Sequence, residues 1–273
     1  MSERLEAFTL FSSSKGNSAL FRYQNECILI DAGVSARALD ASLHMLGASL
    51  REVKAVFVTH EHSDHIKGLE MIARHFRIPI YAPYLCCRFI RAKYPSTAGK
   101  IPLKQQAIID LESPFYLGDL DVTAFPTPHD AEDSVCYRVE AGNAAVGYAT
   151  DIGHLTADIG RCVLGCDAVV LESNHDIDML KNGGYPLPLK KRILGEYGHL
   201  SNRTCATALP RLVESGVRRV VLAHLSPENN RPALAYSESR GALAAKSISV
   251  AGESVSSDVS LAVASPCEPV RIL

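Results

Sequence analysis

Residues 60–65 read His60-Glu61-His62-Ser63-Asp64-His65. Three imidazoles and a carboxylate in so short a span make a donor set suited to zinc, iron or manganese. A loop at a strand end aims alternate side chains in different directions. His60 and His62 can therefore serve one ion while Asp64 and His65 serve another. A solvated polar turn is the bland alternative, and three histidines in six positions fit it poorly. A metal pair needs more donors, and three candidates lie just beyond apolar runs. His129 follows Phe125-Pro126-Thr127-Pro128, Asp151 follows Val146-Gly147-Tyr148-Ala149-Thr150, and His224 follows Val220-Val221-Leu222-Ala223. Singly each is weak, because a lone histidine at a strand end is more often a hydrogen-bonded surface residue. With the cluster they form a coherent set.

Such donors need strands and helices to carry them. Residues 53–58 are a short apolar strand that ends abruptly in Thr59 and the cluster, and residues 66–76 have helical periodicity. Before them, residues 5–11, 18–23 and 27–31 read as strands, with residues 12–18 a loop by composition. A helix is expected over 35–46, stopped by Gly47. Further on, strands are expected at 78–81, 120–125, 167–171, 218–223 and 258–264, and helices at 85–92, 202–215 and 232–246. Residues 134–140 and 144–149 form an expected hairpin. Strands outnumber helices and fall into two halves, roughly 5–115 and 116–264. The fold class is therefore α/β, two sheets around one core, with residues 1–273 as a single domain.

Composition narrows the rest. Hydrophobic residues make up 47% and charged residues 21% of 273, which excludes intrinsic disorder. Twenty-eight basic against thirty acidic residues give a net charge of −2. No global field recruits nucleic acid or an anionic membrane, although a local basic patch stays open. No apolar stretch is long enough to span a bilayer, and the polar start Met1-Ser2-Glu3-Arg4 lacks the form of a signal peptide. The eight cysteines are scattered and mostly sit in apolar runs, which fits reduced, buried thiols in a cytoplasm. Cys162 and Cys166 lack a second cysteine pair to complete a structural zinc motif.

The ordered set Asp31 (in Leu29-Ile30-Asp31-Ala32-Gly33), His60–His65, His129, Asp151 and His224 resembles the five motifs of the metallo-β-lactamase superfamily. The resemblance covers nearly the whole chain. It implies a four-layer αββα sandwich, two mixed β-sheets flanked by helices, with metals at one edge. It also implies that His60, His62 and His129 bind one divalent ion, that Asp64, His65 and His224 bind a second, and that Asp151 bridges them. Asp31 would orient the cluster by hydrogen bonds. Two ions lower the pKa of a shared water, and the resulting bridging hydroxide is the nucleophile. The ions also stabilise charge that develops on the substrate. Asp64 could orient that hydroxide. Zinc leads for the two ions, with manganese or iron as alternatives.

The superfamily holds lactamases, thioesterases and phosphodiesterases. Asp151, rather than Cys, at the bridging position disfavours the commonest lactamase pattern. Glu172 after an apolar strand and His199-Leu200-Ser201-Asn202 before a helix are similar to ribonuclease Z. By that resemblance Glu172 orients His199, and His199 donates a proton to the leaving oxygen or steadies the phosphoryl group. A structural role for His199 at a helix start capped by Ser201 is the alternative. The run Ser12-Ser13-Ser14-Lys15-Gly16-Asn17-Ser18, then Glu172-Ser173-Asn174-His175-Asp176 and Tyr185-Pro186, resemble the YycJ/WalJ group of nucleases. That resemblance implies DNA exonuclease activity. The short span from Asp151 to His224 leaves no room for the inserted domain of the RNA-processing relatives. DNA is therefore placed ahead of RNA as substrate.

Asn17, Ser18, Lys190 and Arg192 are the candidate substrate contacts. Lys15, Lys67, Lys191 and Arg203 could extend a basic rim, and Tyr185 and Tyr197 could stack on bases. Two other readings stand beside the nuclease. One is a thioesterase or small-ester hydrolase of the glyoxalase II type. The other is a non-catalytic, metal-bound nucleic-acid-binding protein. No membrane partner is expected, and the oligomeric state stays open, with a homodimer among the options.

Overall fold

Period-two alternation along the strands decides the layering. In a computed structural model, residues 4–93, 106–108, 111–251 and 258–273 are described. The polar start at residues 1–3 lies outside them. The first sheet contains β1 (Glu6–Ser13), β2 (Gly16–Tyr23), β3 (Glu26–Ile30), β4 (Ala55–Phe57), β5 (Ile80–Ala82) and β6 (Gln106–Ile108). The second contains β7 (Phe115–Leu117), β8 (Leu120–Pro126), β9 (Val135–Ala141), β10 (Ala144–Ala149), β11 (Ala168–Glu172), β12 (Arg219–Ala223) and β13 (Ser260–Val263). A last strand, β14 (Val270–Arg271), returns to the first sheet beside β1. The spatial orders are β14-β1-β2-β3-β4-β5-β6 and β13-β12-β11-β10-β9-β8-β7. Each sheet is mixed. β1, β2 and β3 pair antiparallel and β3 to β6 parallel. β7 to β10 pair antiparallel and β10 to β13 parallel.

Phe21, Ile28, Ile30 and Phe57 from the first sheet pack with Tyr137, Tyr148, Val170 and Val221 from the second. Their neighbours Leu20, Leu29 and Val56 point the other way, into a second apolar cluster. There they meet Leu39 and Leu43 of α1 (Ala36–Met45), Ile72 of α3 (Leu69–Phe76) and Ile90 of α4 (Tyr84–Lys93). Between α1 and α3 comes the one-turn α2 (Ser63–Ile66). On the far side, Val169, Leu171, Val220 and Leu222 pack on Cys162 of α5 (Ala157–Val163) and Leu209 of α8 (Asn202–Glu214). They also pack on Leu243 of α9 (Pro232–Ala244). The order is helices, sheet, sheet, helices. Two short helices, α6 (Ile177–Asn182) and α7 (Leu187–Ile193), lie between β11 and α8. α7 buries none of its residues. Among the described residues no helix is long and apolar enough to cross a membrane.

Some expectations need correction. The loop expected at 12–18 shrinks to the tight link between β1 and β2: Ser12 and Ser13 end β1, and β2 begins ahead of the expected residue 18, taking in Asn17. The helix expected over 66–76 breaks into α2 and α3 at Gly68. There Gly68 N donates to Ala32 O, and a Cβ would lie 2.3 Å from Val34 O. The two expected halves, roughly 5–115 and 116–264, each supply one sheet, and β14, beyond both, crosses back to join the first.

The sheets place the chemistry. Asp31, Thr59 and His60, Asp151, Glu172 and His224 all follow or close parallel strands at their carboxyl ends, where open α/β sheets bind ligands. Asp31, Asp151 and His224 have φ of +62°, +57° and +57°, the left-handed region that only glycine enters freely. Gly33 lets the chain after β3 touch the cluster loop: a Cβ there would meet Asp64 O at 1.6 Å and Asn17 N at 2.5 Å. Both obstacles are backbone, so nothing can swing aside. Gly33→Ala is therefore expected to lower stability by about 1–3 kcal/mol. Urea unfolding checks this, and an unchanged midpoint would contradict the close approach.

Candidate metal centre

β4 ends in the backbone that projects the cluster. Thr59 N donates to Asp31 Oδ1 at 2.8 Å, and Ala32 N donates to His65 O at 2.8 Å, so the loops after β3 and β4 are bound together. The second sheet grips the same loop. Tyr137 Oη donates to Val58 O at 2.7 Å, and Glu132 N donates to buried Glu61 at 3.0 Å. His129 sits in the segment held this way. His224 is fixed through its backbone: its N–H donates to Ser12 Oγ at 2.8 Å, and Asn174 Nδ2 donates to its carbonyl at 2.9 Å.

The structure brings all seven sequence-predicted donors together. The potential ligand atoms of His60, His62 and His129 lie within 4.8 Å of one another, as do those of Asp64, His65 and His224. Asp151 is within the same distance of His60 and His65. Its Oδ2 lies 3.2 Å from His65 Nε2, and its Oδ1 lies 3.5 Å from His224 Nε2 and 3.7 Å from His129 Nε2. It therefore stands between the two groups.

Four imidazoles are tethered by Nδ1. His65 Nδ1 donates to Asp31 at 2.7 Å, and His129 Nδ1 to Gly198 O at 3.2 Å. His224 Nδ1 is 3.0 Å from Glu172 Oε1, and His60 Nδ1 is 3.0 Å from Thr59 Oγ1. A donor at Nδ1 leaves Nε2 as the lone-pair nitrogen and turns it inward. Nε2 of His60, Nε2 of His129 and Oδ2 of Asp151 are buried without a hydrogen-bond partner among the described residues. Buried polar atoms are normally satisfied. Orphaned imidazole and carboxylate atoms facing one centre fit divalent cations.

Charge is divided unevenly. Burial holds His60 well below the ordinary imidazole range, with His65 adding to it, and burial also lowers His129. Burial disfavours charge on His65 too, but the Asp31 and Asp151 carboxylates outweigh it and raise that pKa well above normal. Burial likewise opposes charge on His224, yet Asp151, Asp64 and Glu172 push it up to about 10. Burial would raise Asp151 and Asp64, but the facing His224 and His65 hold both below the usual carboxylate range. Asp31 is raised by its burial against the pull of His65.

Glu172 closes β11 fully buried, with four partners. Oε2 accepts from Ile152 N at 2.8 Å and Leu200 N at 3.1 Å, while Oε1 lies 2.8 Å from His199 Nδ1 besides its contact with His224. Gly198 makes this approach possible, since a Cβ there would lie 2.2 Å from Ile193 O. The His199 ring stacks at 5.3 Å on that of His224.

The substrate contacts fare differently. Asn17 and Ser18 are fully buried. Asn17 Nδ2 donates to Ser13 O at 2.9 Å and lies 3.1 Å from His65 Nε2, and Ser18 Oγ donates to Asp31 O at 2.8 Å. Ser18 thus braces the loop after β3, whereas Asn17 lies against the donor atoms themselves, its Nδ2 also 3.3 Å from Asp64 Oδ2; neither is exposed to present itself to a substrate. Lys190 turns its ammonium to Lys181 O at 2.7 Å. Arg192 lines a cleft beside His199 and is paired with Asp130. Sequence reasoning missed Thr59, Glu61 and the tether from Asn174. Thr59 stands directly before the cluster and Asn174 two residues after Glu172, so adjacency was the available signal.

Imidazoles that carry protons beside carboxylates must release them to a cation. With His65 and His224 both raised, zinc uptake by chelator-treated protein at about pH 7 should expel protons, and affinity should rise with pH. Calorimetry in two buffers of different ionisation enthalpy reads the release. Identical heats in both buffers would contradict it.

A profile of the beta-lactamase superfamily domain matches residues 26–225. The exodeoxyribonuclease YycJ of Bacillus anthracis is 34% identical over 226 residues, 83% of this chain and 84% of its own. The exodeoxyribonuclease WalJ of Streptococcus pneumoniae (strain D39) is 33% identical over 228 residues, with the same shares. The metallo-β-lactamase fold protein YhfI from Bacillus subtilis superposes with a TM-score of 0.67 at 16% identity, covering 99% of this chain and 100% of that one. At that identity the likeness concerns the fold. Profile, relatives and architecture agree: the chain belongs to the metallo-β-lactamase superfamily, in the branch of YycJ and WalJ.

Proposed function

We propose that this chain is a two-metal phosphodiesterase that cleaves DNA as an exonuclease, its residues working as one domain. The observation that carries the reading is the contact of Glu172 Oε1 with His199 Nδ1 at 2.8 Å, beside the donor cluster. A phosphodiester expels an alkoxide, which needs a proton, whereas a thioester expels a thiolate, which does not. A poised imidazole next to the donors therefore favours the phosphodiester over the thioester. The names of the two exodeoxyribonuclease relatives support DNA ahead of RNA.

His60, His62 and His129 would hold one divalent ion and Asp64, His65 and His224 the other, with Asp151 between. When bound, the pair supplies Lewis-acid activation of water and stabilises charge on the phosphoryl oxygens. Zinc suits the imidazole and carboxylate donors, with manganese or iron as alternatives. Asp31 keeps His65 in the tautomer that offers Nε2. Asp64 is the partly exposed carboxylate of the cluster, with its side chain 20% accessible, and it orients the attacking water. Glu172 fixes Nδ1 of His199, so Nε2 carries the proton for the leaving oxygen. Burial opposes charge on His199, but Glu172 outweighs it and raises the pKa. The acid is thus loaded at neutral pH.

The test pairs a labelled oligodeoxynucleotide with bis(p-nitrophenyl) phosphate, using protein loaded with zinc or manganese. Both should be cleaved, and a chelator should abolish both activities. No cleavage of any phosphodiester would overturn the reading. His199→Ala should lower kcat on DNA by about a hundred- to ten-thousand-fold at unchanged metal content. The loss should be much smaller on the nitrophenyl ester, whose leaving group needs no proton. Equal losses on both substrates would remove the proton-donor role.

A further inference from the structure

We propose that the cleft beside His199 seats the nucleoside that departs with the leaving oxygen, with the Tyr185 ring against its base. This rests on the phosphodiesterase reading and deepens it. The cleft has a volume of about 160 Å³. His199 and Asn174 line it together with Tyr185 and with Leu189 and Ile193 of α7.

Three properties select the occupant. Pockets that enclose a whole drug-sized ligand measure roughly 300–1,000 Å³, so this cleft grips one unit of a polymer and leaves the rest outside. Charge comes next. Arg192 in the wall is paired with Asp130, itself 3.4 Å from His129 Nε2. The guanidinium is neutralised, and a second phosphate would meet the Asp130 carboxylate. The uncharged sugar and base fit better. An aromatic ring and two aliphatic side chains offer faces for a planar base, and the Arg192–Asp130 pair offers hydrogen bonds to its edge. The third property is position. His199 is the group that protonates the leaving oxygen, so whatever lies against it in the cleft belongs to the departing side. Stacking tolerates any base, and a site of this kind accepts every nucleoside.

The full chain, loaded with manganese, is assayed on an oligodeoxythymidylate, with thymidine as the competing ligand. Tyr185 is half-buried on the surface, so its replacement leaves the core intact. Tyr185→Ala should raise KM for the oligonucleotide by about five-fold or more, the lower end for loss of one base stack. It should weaken inhibition by thymidine in parallel, and Tyr185→Phe, which keeps the ring, should restore both. An unchanged KM and unchanged thymidine inhibition in Tyr185→Ala would overturn the subsite while DNA cleavage by the wild type left the parent reading standing. A Tyr185→Phe protein as impaired as Tyr185→Ala would also overturn it, because the hydroxyl and not the ring would then be the contact. Wild-type protein that cleaves no phosphodiester would remove the parent reading and the subsite with it.

Discussion

The structure turns on the hold that the protein keeps on one nitrogen of each imidazole. His60, His65, His129 and His224 are anchored at Nδ1 by a hydroxyl, a carboxylate, a backbone carbonyl and a second carboxylate. Each anchor sets a ring plane before any ligand arrives and decides which nitrogen a cation would find. Left alone, the arrangement is unfavourable. An unsatisfied buried polar atom costs about 1–3 kcal/mol, and Nε2 of His60 and of His129 are two such atoms. The inward nitrogens do not stabilise the fold. They are held in place by it, and a cation is the partner that completes them.

What holds them is the pairing of two mixed sheets. Parallel strands in both sheets send their carboxyl ends to one edge, so donors distant in sequence arrive side by side. The apolar faces between the sheets, Phe57 against Tyr137 at 5.9 Å for example, fix the spacing of those ends. Tyr137 serves twice, because its hydroxyl also secures the backbone before the cluster. Glu172 has a comparable double duty. One of its oxygens lies between His224, a candidate ligand, and His199, the candidate acid, so the placement of the two rings is not independent.

Much of this was legible in the sequence because the chemistry is concentrated. His60 and His62 alternate on a loop, Asp64 and His65 follow on the single turn of α2, and His129, Asp151 and His224 each stand just past an apolar run. Residue type and strand end were enough to find them. Asp31, Glu172 and His199 were legible through resemblance, since an acid after a strand has many uses. Thr59, Glu61 and the tether from Asn174 were not found. Their work is done through tertiary contacts that no local pattern records. Asn17 and Ser18 were misread for a physical reason: a string of Ser, Gly and Asn looks like a solvated loop, but here it turns tightly between paired strands and is buried against the cluster. β6, β7 and β14 are two or three residues long, too short for alternation to show. α7 buries none of its residues, so it has no apolar stripe to detect.

Asp31, Asp151 and His224 occupy a backbone region that side chains enter at a cost of about 1–3 kcal/mol each. All three costs fall at one edge of the molecule, and glycine would relieve any of them. Backbone strain and chemistry therefore meet at the same three positions. At Asp31 that relief would be offset by leaving buried Thr59 and His65 without the carboxylate that satisfies them. Gln24, Arg77, Glu112 and Ser247 take the same left-handed backbone away from the centre, so the fold tolerates this strain wherever the chain must reverse sharply, and at this edge the reversal serves to aim donors.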